Sequence, residues 1–356
     1  MSAKPVQTKA GSRPTRMRAA VLRKLKTRLK IERLPIPEPG PGEILIKVVA
    51  CGVCHSDLHA IDGDWASPPV LPLIPGHEVT GHVAELGAGV TGFRKGDAVG
   101  VPWMWSACGH CEACLAGMET VCRTGQATGY SKPGGYAEYM VARADFVARL
   151  PKRTDLVAVA PILCAGVTTY RGLKRTNTRP GQWVAVVGIG GLGHIAVQYA
   201  VAMGLRVAAV DIDPKKLALA KKLGAEFLVN AREENPIAAI RKGIGGVHGA
   251  VVAAVATQAF EQAIGMLRVG GSVVFLGLPG GKADELRASI AQISGRELSV
   301  RGSSVGTRLD LEEAVAFALR GQVAAKIETA PLSAANTVLN RMRRGKIVGR
   351  VVLTIG

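Results

Sequence analysis

The sequence is poor in aromatic residues, in acidic residues and in long apolar runs. Phe, Trp and Tyr make up 4% of its 356 residues, and 27 Asp and Glu stand against 45 Lys and Arg, for a net charge of +18. No apolar run approaches the ~18 residues of a membrane-spanning helix. The first thirty residues also lack the apolar block of a secretory signal. We therefore expect no membrane partner and a cytoplasmic location.

A disulfide framework is a further feature that we do not expect. The chain has seven cysteines and no secretory signal, and in a reducing compartment clustered thiols bind metal more often than they pair. What the sequence does have is length, 48% hydrophobic residues and 44 glycines. These values favour two domains built of tight turns and buried Val- and Ala-rich strands.

The basic charge is concentrated near the N-terminus. Residues 1–34 contain eleven Lys or Arg and one acid, Glu32. Three interpretations are open: a solvated arm without a partner, which we favour, an electrostatic contact with nucleic acid or an acidic membrane, and an organelle transit peptide. Because "MRAAVL" from Met17 already predicts a strand, the flexible basic extension is expected to cover residues 1–16. We expect no nucleic-acid partner.

The predicted pattern of secondary structure changes near Gly181. Before it, short strand patterns such as "ILIKVVACG" and "HEVTGHVAEL" alternate with Gly and Pro turns, which is typical of a barrel-like β domain. After it, apolar strands alternate with helical segments, which predicts a parallel sheet covered on both faces. The segment "TQAFEQAIGMLRVGG" predicts one such helix, with glycine at its end.

A glycine motif lies at the start of this second region. Gly188, Gly190 and Gly193 form "GIGGLG" between the strand "WVAVV" and a helix, and Asp211 closes the next strand. Such glycines permit a tight turn and the close approach of a dinucleotide pyrophosphate. A carboxylate at Asp211 would accept bonds from the ribose hydroxyls and repel a 2′-phosphate, which favours NAD over NADP. The alternative is a glycine turn without a ligand.

Four cysteines occur within the segment 106–123. They are separated by two, two and seven residues, a spacing that can close a tetrahedral zinc site without an open position; they are Cys108, Cys111, Cys114 and Cys122. The alternatives are a zinc module that binds nucleic acid and a set of free cysteines. The intervening residues are small, apolar and acidic, which disfavours a nucleic-acid module.

The three remaining cysteines are spread over the chain with nearby histidines. "CGVCHSDLH" contains Cys51 and Cys54, "PGHE" contains His77, and "LCAG" contains Cys164. Two cysteines and one histidine suit an open catalytic zinc site and would leave Cys51 as a packing residue. A redox pair of Cys51 with Cys54, and a merely buried Cys164, are the alternatives.

From Met17 to the C-terminus the chain resembles the zinc-dependent alcohol dehydrogenases of the medium-chain dehydrogenase/reductase superfamily. The motifs that carry this resemblance are "CGVCHSDLHAIDGDW", "PGHEVTGHV", the cysteine segment, "CAGVTTYRGLK", "GIGGLG", "VDID" and "GKIVGR". The resemblance implies a GroES-like catalytic domain at residues 17–165 and 305–356. It also implies an NAD-binding Rossmann domain, a doubly wound parallel sheet, at residues 166–304.

The resemblance also implies roles for individual residues. Cys54, His77 and Cys164 would hold the catalytic zinc, and the four clustered cysteines a structural zinc. Glu78 would approach the metal, Asp57 would orient the zinc-bound histidine, and Ser56 and His59 would relay the proton. The residues implied in cofactor binding are His55, Thr168, Gly188, Gly190, Gly191, Leu192, Gly193, Asp211, Lys216, Leu278, Val305 and Arg350.

The implied reaction is the oxidation of small primary alcohols to aldehydes, and the reverse reduction, with NAD and two zinc ions per chain. Trp65 and Trp103 would line a narrow substrate pocket, and the short "TGQATGY" after Cys122 resembles the homotetrameric yeast-like and bacterial branch. A zinc-dependent reductase of bulkier or aromatic aldehydes is one alternative. The other is a zinc-stabilised NAD-binding protein that acts through its basic arm.

Overall fold

The computed structural model of the protein describes residues 14–279 and 285–356. Its strands are β1 (Arg16–Val21), β2 (Lys30–Pro35), β3 (Glu43–Val53), β4 (Glu78–Leu86), β5 (Ala98–Val101), β6 (Met104–Ser106), β7 (Gln126–Ala127), β8 (Tyr139–Arg143), β9 (Ala148–Leu150), β10 (Trp183–Val187), β11 (Arg206–Asp211), β12 (Phe227–Asn230), β13 (Val247–Val252), β14 (Leu267–Phe275), β15 (Ser299–Gly302), β16 (Ile327–Pro331) and β17 (Arg350–Thr354). Its helices are α1 (His55–Asp62), α2 (Glu112–Leu115), α3 (Leu156–Val159), α4 (Ala165–Arg175), α5 (Gly193–Ala202), α6 (Pro214–Lys222), α7 (Pro236–Ile244), α8 (Thr257–Met266), α9 (Ile290–Gly295), α10 (Arg308–Leu319) and α11 (Ala335–Arg343).

One sheet is parallel throughout the described residues, with the strand order β12-β11-β10-β13-β14-β15. Every residue of its central strand β10 is buried. Val184 and Val186 pack with α4 and α5, whereas Ala185 and Val187 pack with α7 and α8. Successive side chains of a strand point to opposite faces, so this sheet is covered by helices on both sides. The predicted doubly wound sheet is confirmed.

The second large sheet is mainly antiparallel. In the described residues its order is β16-β17-β3-β4-β5-β9, and β8 pairs with the N-terminal half of β3. The long strand β3 pairs with β4 along most of its length. Near the C-terminus, β17 adds to the other side of β3, with Leu353 opposite Cys51. The chain therefore returns to its first domain after completing the parallel sheet.

Two boundaries differ from the sequence-based expectations. Strand β1 begins at Arg16, the last residue of the expected extension and one residue before the expected start at Met17, and residues 1–13 lie outside the described part of the chain. The helix predicted to run up to the glycines near 270 ends at Met266. Leu267 is extended, with φ −67° and ψ 148°, and it pairs with Val247 to start β14. Pairing with a buried strand here overrides the helical spacing of the sequence.

The described residues contain no single helix that is both long enough and apolar enough to cross a membrane. One bent pair, Leu156–Leu163 with Ala165–Arg175, meets the criterion by length and composition alone.

Candidate active site and metal centres

Four buried side chains converge where β3, β4 and α4 meet. One ligand atom from each of Cys54, His77, Glu78 and Cys164 lies within 4.8 Å of the others. Cys54 is the residue before α1, Glu78 is the first residue of β4, and Cys164 precedes α4. Each side chain therefore sits at the end of an element whose backbone is fixed by the surrounding sheet or helix.

The donor set of this cluster fits a zinc ion. His77 is fully buried, and its Nε2 has no hydrogen-bond partner among the described residues. Such an orphaned nitrogen costs free energy unless a partner, such as a metal, satisfies it. Hydrogen bonding from Cys164 lowers the pKa of the Cys54 thiol well below its usual range, which favours the thiolate. Cys54, His77 and Cys164 could thus hold zinc and leave a fourth position open.

Asp57 supports this cluster through His77. Its Oδ1 lies 3.3 Å from Nδ1 of His77 and accepts a bond from the Gly76 N–H at 3.2 Å. Its Oδ2 accepts bonds from the Cys54 N–H and from the hydroxyl of the buried Tyr136, both at 2.9 Å. Burial lowers the pKa of His77, but Asp57 and Cys54 outweigh burial and raise this pKa to about 10. Tyr136 was not singled out in the sequence.

Glu78 is paired with Arg350 beside the same cluster. Nη2 of Arg350 donates to Oε1 of Glu78, and both side chains are buried. Burial raises the pKa of Glu78 to about 8 even though the arginine opposes this shift. Nη1 of Arg350 also lies 3.1 Å from the position that a Cβ on Gly191 would take. Arg350 therefore touches both the cysteine–histidine cluster and the glycine turn.

The glycine turn leads from β10 into α5. Gly188 has a φ of +89°, a conformation that side chains disfavour, and a Cβ on Gly193 would lie 1.9 Å from the carbonyl oxygen of Gly188. At Gly190 nothing lies within 4 Å of the Cβ position, so the turn is open there. An open, glycine-bordered space at the start of a helix fits the pyrophosphate of a dinucleotide. Leu192 is the residue before this helix.

Two charged or titratable groups fix the turn. Oδ2 of Asp211 accepts a 2.6 Å bond from the Ile189 N–H, and Lys216 Nζ lies 4.0 Å from its Oδ1. His194 is buried, and its Nδ1 lies 2.9 Å from the carbonyl oxygen of Gly190. Its Nε2 accepts a hydrogen bond from the N–H of Lys326. Asp211 thus shapes the turn as well as bordering it. The sequence did not point to His194, because its partner Lys326 is distant in the chain.

Four other residues were expected at the cofactor, and the structure gives their positions in the fold. Thr168 is buried one turn of α4 beyond Cys164, and His55 is the first residue of α1. Leu278 follows β14 and is 54% exposed. Val305 follows β15 with a φ of +41°, which is rare for a β-branched residue. Strained backbone of this kind is common at binding sites.

The expected proton-relay residues occupy the first two turns of α1. Ser56 Oγ lies 3.7 Å from Cys54 Sγ, so it borders the metal cluster. His59 Nδ1 lies 2.8 Å from Oδ2 of Asp64, which leaves the second ring nitrogen, Nε2, outside this contact. Asp64 was not singled out in the sequence, although it immediately precedes Trp65. Its carboxylate fixes the orientation of the His59 ring.

Aromatic rings form one wall beside His59 and His77. Trp103 contacts His77 edge-on at a centroid distance of 4.9 Å, and Trp65 lies 5.6 Å from the His59 ring. The two tryptophans are 5.7 Å apart, and Tyr130 packs against both, at 5.0 and 5.8 Å. The structure therefore brings Trp65 and Trp103 together at the metal cluster. Tyr130 is a third member that the sequence did not indicate.

Cys108, Cys111, Cys114 and Cys122 form a second cluster in the segment after β6, called here the cysteine loop (residues 106–123). Their sulfur atoms all lie within 4.8 Å of one another, and none is in a disulfide. The Cys108–Cys114 and Cys111–Cys122 sulfur distances are both 3.9 Å. Tetrahedral zinc with ~2.3 Å bonds requires sulfurs roughly 3.8 Å apart.

Backbone hydrogen bonds favour the thiolate form of Cys108 and Cys122. The Cys108 N–H donates to Cys122 Sγ, and the Cys111 N–H donates to Cys108 Sγ, both at 3.3 Å. The bond from Cys108 lowers the pKa of the Cys122 thiol to about 6. The set of four sulfurs fits a closed zinc site, in which no position remains for a substrate.

Comparison with known families gives two matches along the chain. Residues 40–152 match the family model described as "Alcohol dehydrogenase GroES-like domain", and residues 191–320 match "Zinc-binding dehydrogenase". The first match contains Cys54, His77 and the cysteine loop, and the second begins inside the glycine turn.

Individual relatives are similar over nearly the whole chain. An alcohol dehydrogenase of Moraxella sp. (strain TAE123) is 53% identical over 95% of this chain and 99% of its own length. The crystal structure of the alcohol dehydrogenase of Aeropyrum pernix superposes with a TM-score of 0.86 at 36% identity, covering 95% of this chain and 99% of that one. The structure of acetophenone reductase of Geotrichum candidum in complex with NAD superposes with a TM-score of 0.85 at 28% identity, covering 97% of this chain and 98% of that one.

Proposed function

The chain belongs to the zinc-dependent alcohol dehydrogenases of the medium-chain dehydrogenase/reductase superfamily, and we propose that it oxidises small primary alcohols to aldehydes with NAD. It is an oxidoreductase with zinc and a nicotinamide dinucleotide as cofactors. The observation that carries the proposal is the convergence of Cys54, His77 and Cys164 at Arg350, which also touches the glycine turn. A metal-held alcohol and a nicotinamide ring could meet there.

Each cofactor supplies one part of the chemistry. Zinc held by Cys54, His77 and Cys164 would supply a Lewis acid that lowers the pKa of an alcohol, and NAD would supply the hydride acceptor. The side chains of the protein would then move the proton. Ser56, which borders Cys54, would take it from the alcohol, and His59 would pass it towards solvent. Asp64 holds His59 in position for this transfer.

The aromatic wall supports a preference for small substrates. Trp65, Trp103 and Tyr130 pack against one another beside the two histidines. Three large rigid rings leave little room for a branched or aromatic substituent next to the metal. Ethanol and propanol are therefore the proposed substrates, with the preference graded because one methylene is worth only ~1–3 kcal/mol.

Asp211 supports NAD over NADP. Its carboxylate closes β11 at the edge of the sheet where the glycine turn lies, and it is held by backbone N–H groups. A negative charge at this place would repel the 2′-phosphate of NADP. Lys216, 4.0 Å away, weakens the charge without removing it.

We further propose a homotetramer in the cytoplasm. Strand β15 is the edge of the parallel sheet in the described residues, and Val269 and Ile290 are 73% and 82% exposed. An open edge near exposed apolar side chains is typical of an assembly surface. A reducing compartment would keep the seven free cysteines available for zinc. The mass in solution, measured by light scattering, tests for four chains.

Two other functions are distinguished by their substrates. A reductase of bulky or aromatic aldehydes would prefer benzyl alcohol to ethanol in the oxidative direction. An NAD-binding protein acting through the basic arm would oxidise neither, and residues 1–13 of that arm lie outside the described part of the chain. The convergence of the zinc-type ligands favours an enzyme over the NAD-binding protein, which needs no open metal site, and the substrate comparison decides between the two enzymes.

The test is the formation of NADH by the zinc-loaded protein with ethanol, propanol and benzyl alcohol. We expect absorbance at the NADH band to rise with each, and kcat/KM to be highest for ethanol or propanol. Higher kcat/KM for benzyl alcohol would replace the small-alcohol proposal with the aromatic alternative. Absence of NADH with all three would refute the proposed substrate class.

A further inference from the structure

An arginine-rich cavity lies at the opposite end of α4 from Cys164. It has a volume of about 460 Å³ and is lined by the cysteine loop, the C-terminal half of α4, β15 and the start of α10. Four cationic residues face it: Arg171, Lys174, Arg175 and Arg301. None of them takes part in the proposed oxidation of alcohols.

The acidic residues nearby do not balance this charge. Asp310 accepts from Arg171 Nη1 at 2.9 Å and from Lys174 Nζ at 3.0 Å, and Lys174 also contacts Glu313. Neither Arg175 nor Arg301 forms an ion pair with a described residue, and Nη1 of Arg301 donates to the Arg175 carbonyl at 3.2 Å. Two carboxylates thus stand against four cations.

Two of the guanidinium groups also have unused donors. The Arg171 side chain is only 8% exposed, yet its Nε has no hydrogen-bond partner among the described residues, and neither does Nε of Arg175. A buried charged donor without a partner is costly. Burial, together with the neighbouring Arg171 and Arg301, lowers the pKa of Arg175, which reflects the same excess of positive charge.

We propose that this cavity binds a phosphate-type oxyanion, held by Arg171, Arg175 and Arg301. Guanidinium groups match the oxygens of a phosphate because each presents a planar fork of N–H donors. The anion would offset the excess positive charge of these guanidinium groups. The volume exceeds that of a bare phosphate, so a phosphomonoester of a small metabolite fits as well as inorganic phosphate.

Binding would connect two parts of the protein. The cavity extends from Gly117 and Met118 of the cysteine loop to Thr307 and Leu309 at the start of α10. These parts are already joined once, because Arg308 Nη2 lies 2.9 Å from Glu119 Oε2. A phosphate held by Arg171, Arg175 and Arg301 would add a connection between α4 and β15, which line the same cavity. It should therefore stabilise the folded protein against heat, by linkage to the native state.

The experiment uses the full-length, zinc-loaded protein saturated with NAD, so that the dinucleotide site is closed to phosphate. Inorganic phosphate and glycerol phosphate are titrated separately at constant ionic strength by isothermal calorimetry, and Tm is measured at each concentration. We expect saturable binding and a rise in Tm that potassium chloride does not reproduce. Tighter binding of glycerol phosphate would identify a phosphomonoester as the natural occupant, and equal or weaker binding would identify inorganic phosphate.

Variants then assign the binding to this cavity. Arg175→Gln combined with Arg301→Gln should weaken phosphate binding at least tenfold, whereas the control Arg241→Gln on the exposed face of α7 should change it less than twofold. If the double variant fails to fold, Arg301→Gln alone should weaken binding at least threefold. Undiminished binding in the folded variants, equal losses in the control, or a Tm rise that chloride reproduces would overturn the proposal.

Discussion

At the scale of single residues, Asp64 controls the orientation of His59. The 2.8 Å contact between Oδ2 and Nδ1 holds the imidazole ring so that Nε2 is free for proton transfer. Asp64→Ala should lower kcat/KM for ethanol by about tenfold, because proton transfer by a well-placed group contributes ~10²–10⁴-fold and the ring would be displaced but not lost. Asp64→Asn, whose amide oxygen still accepts the bond, should restore most activity. Equal rates in wild type and Asp64→Ala would exclude this positioning role.

Asp211 has two functions that substitution can separate. We propose that its carboxylate repels a 2′-phosphate, and its Oδ2 accepts the Ile189 N–H in the glycine turn. Asp211→Gly should narrow the preference for NAD over NADP by at least one order of magnitude, at roughly 1.4 kcal/mol per tenfold. Asp211→Asn removes the charge but keeps an acceptor for the Ile189 N–H. It should therefore narrow the preference for NAD over NADP with a smaller loss of NAD affinity than Asp211→Gly causes. A wild-type protein that used NADP equally well would contradict the role of the charge.

Trp65 is expected to limit the size of the substrate. Replacing it with alanine removes the ring that contacts His59, Trp103 and Tyr130. The ratio of kcat/KM for benzyl alcohol to that for ethanol should rise about tenfold, within the ~1–3 kcal/mol that such pocket contacts supply. Trp105→Phe is the control, because Trp105 is buried beneath Lys132 and is outside the ring cluster. An unchanged ratio in folded, zinc-loaded Trp65→Ala would remove Trp65 from the pocket.

The residues that the sequence indicated are those with distinctive chemistry and spacing. Cysteines, histidines and glycines in motifs are recognisable in one dimension. The residues that hold them in position are not recognisable in this way. Tyr136 is hydrogen-bonded to Asp57, 79 positions away, and His194 to Lys326, 132 positions away. A tyrosine or a histidine in an ordinary strand or helix carries no local signal of such a contact. Only the fold places it beside its partner.

At the scale of elements, we expect the cysteine loop to depend on a bound zinc ion. Its longest helix, α2, has four residues and none of them is buried, so little apolar packing holds the loop. Cys111→Ser should remove one zinc and lower Tm on the order of 5–10 °C, since ~1 kcal/mol corresponds to a few degrees in a protein of this size. Cys51→Ala is the matched control, because Cys51 is buried outside both clusters and should keep both ions. The same Tm in Cys111→Ser and wild type would rule out a stabilising metal there.

The helices and strands could be predicted from the spacing of apolar residues and from Gly and Pro turns. Errors arise where strand pairing overrides the local pattern. The parallel strands were recognisable as short buried Val- and Ala-rich runs, and the glycine turn by its place between strand and helix. The end of α8 was not, because Leu267 and Arg268 continue a helical spacing in the sequence. Their extended conformation depends on Val247 of β13, which offers Leu267 a pairing partner.

At the scale of the whole molecule, the two sheets meet at the site through Arg350. It begins β17 of the antiparallel sheet, pairs with Glu78, and approaches Gly191 of the turn that follows β10. The motifs predicted both a metal site and a dinucleotide site. They could not show that one buried arginine touches both, since this contact depends on the return of the C-terminal strand to the first domain.

The central claim is that one chain holds two zinc ions with different tasks. The most direct measurement is the zinc content, by elemental analysis, of fully active wild-type protein after dialysis, with Cys164→Ser measured in parallel. We predict two ions per wild-type chain, and one ion with no alcohol oxidation in a folded Cys164→Ser protein. One zinc per chain in a fully active wild-type preparation would contradict it.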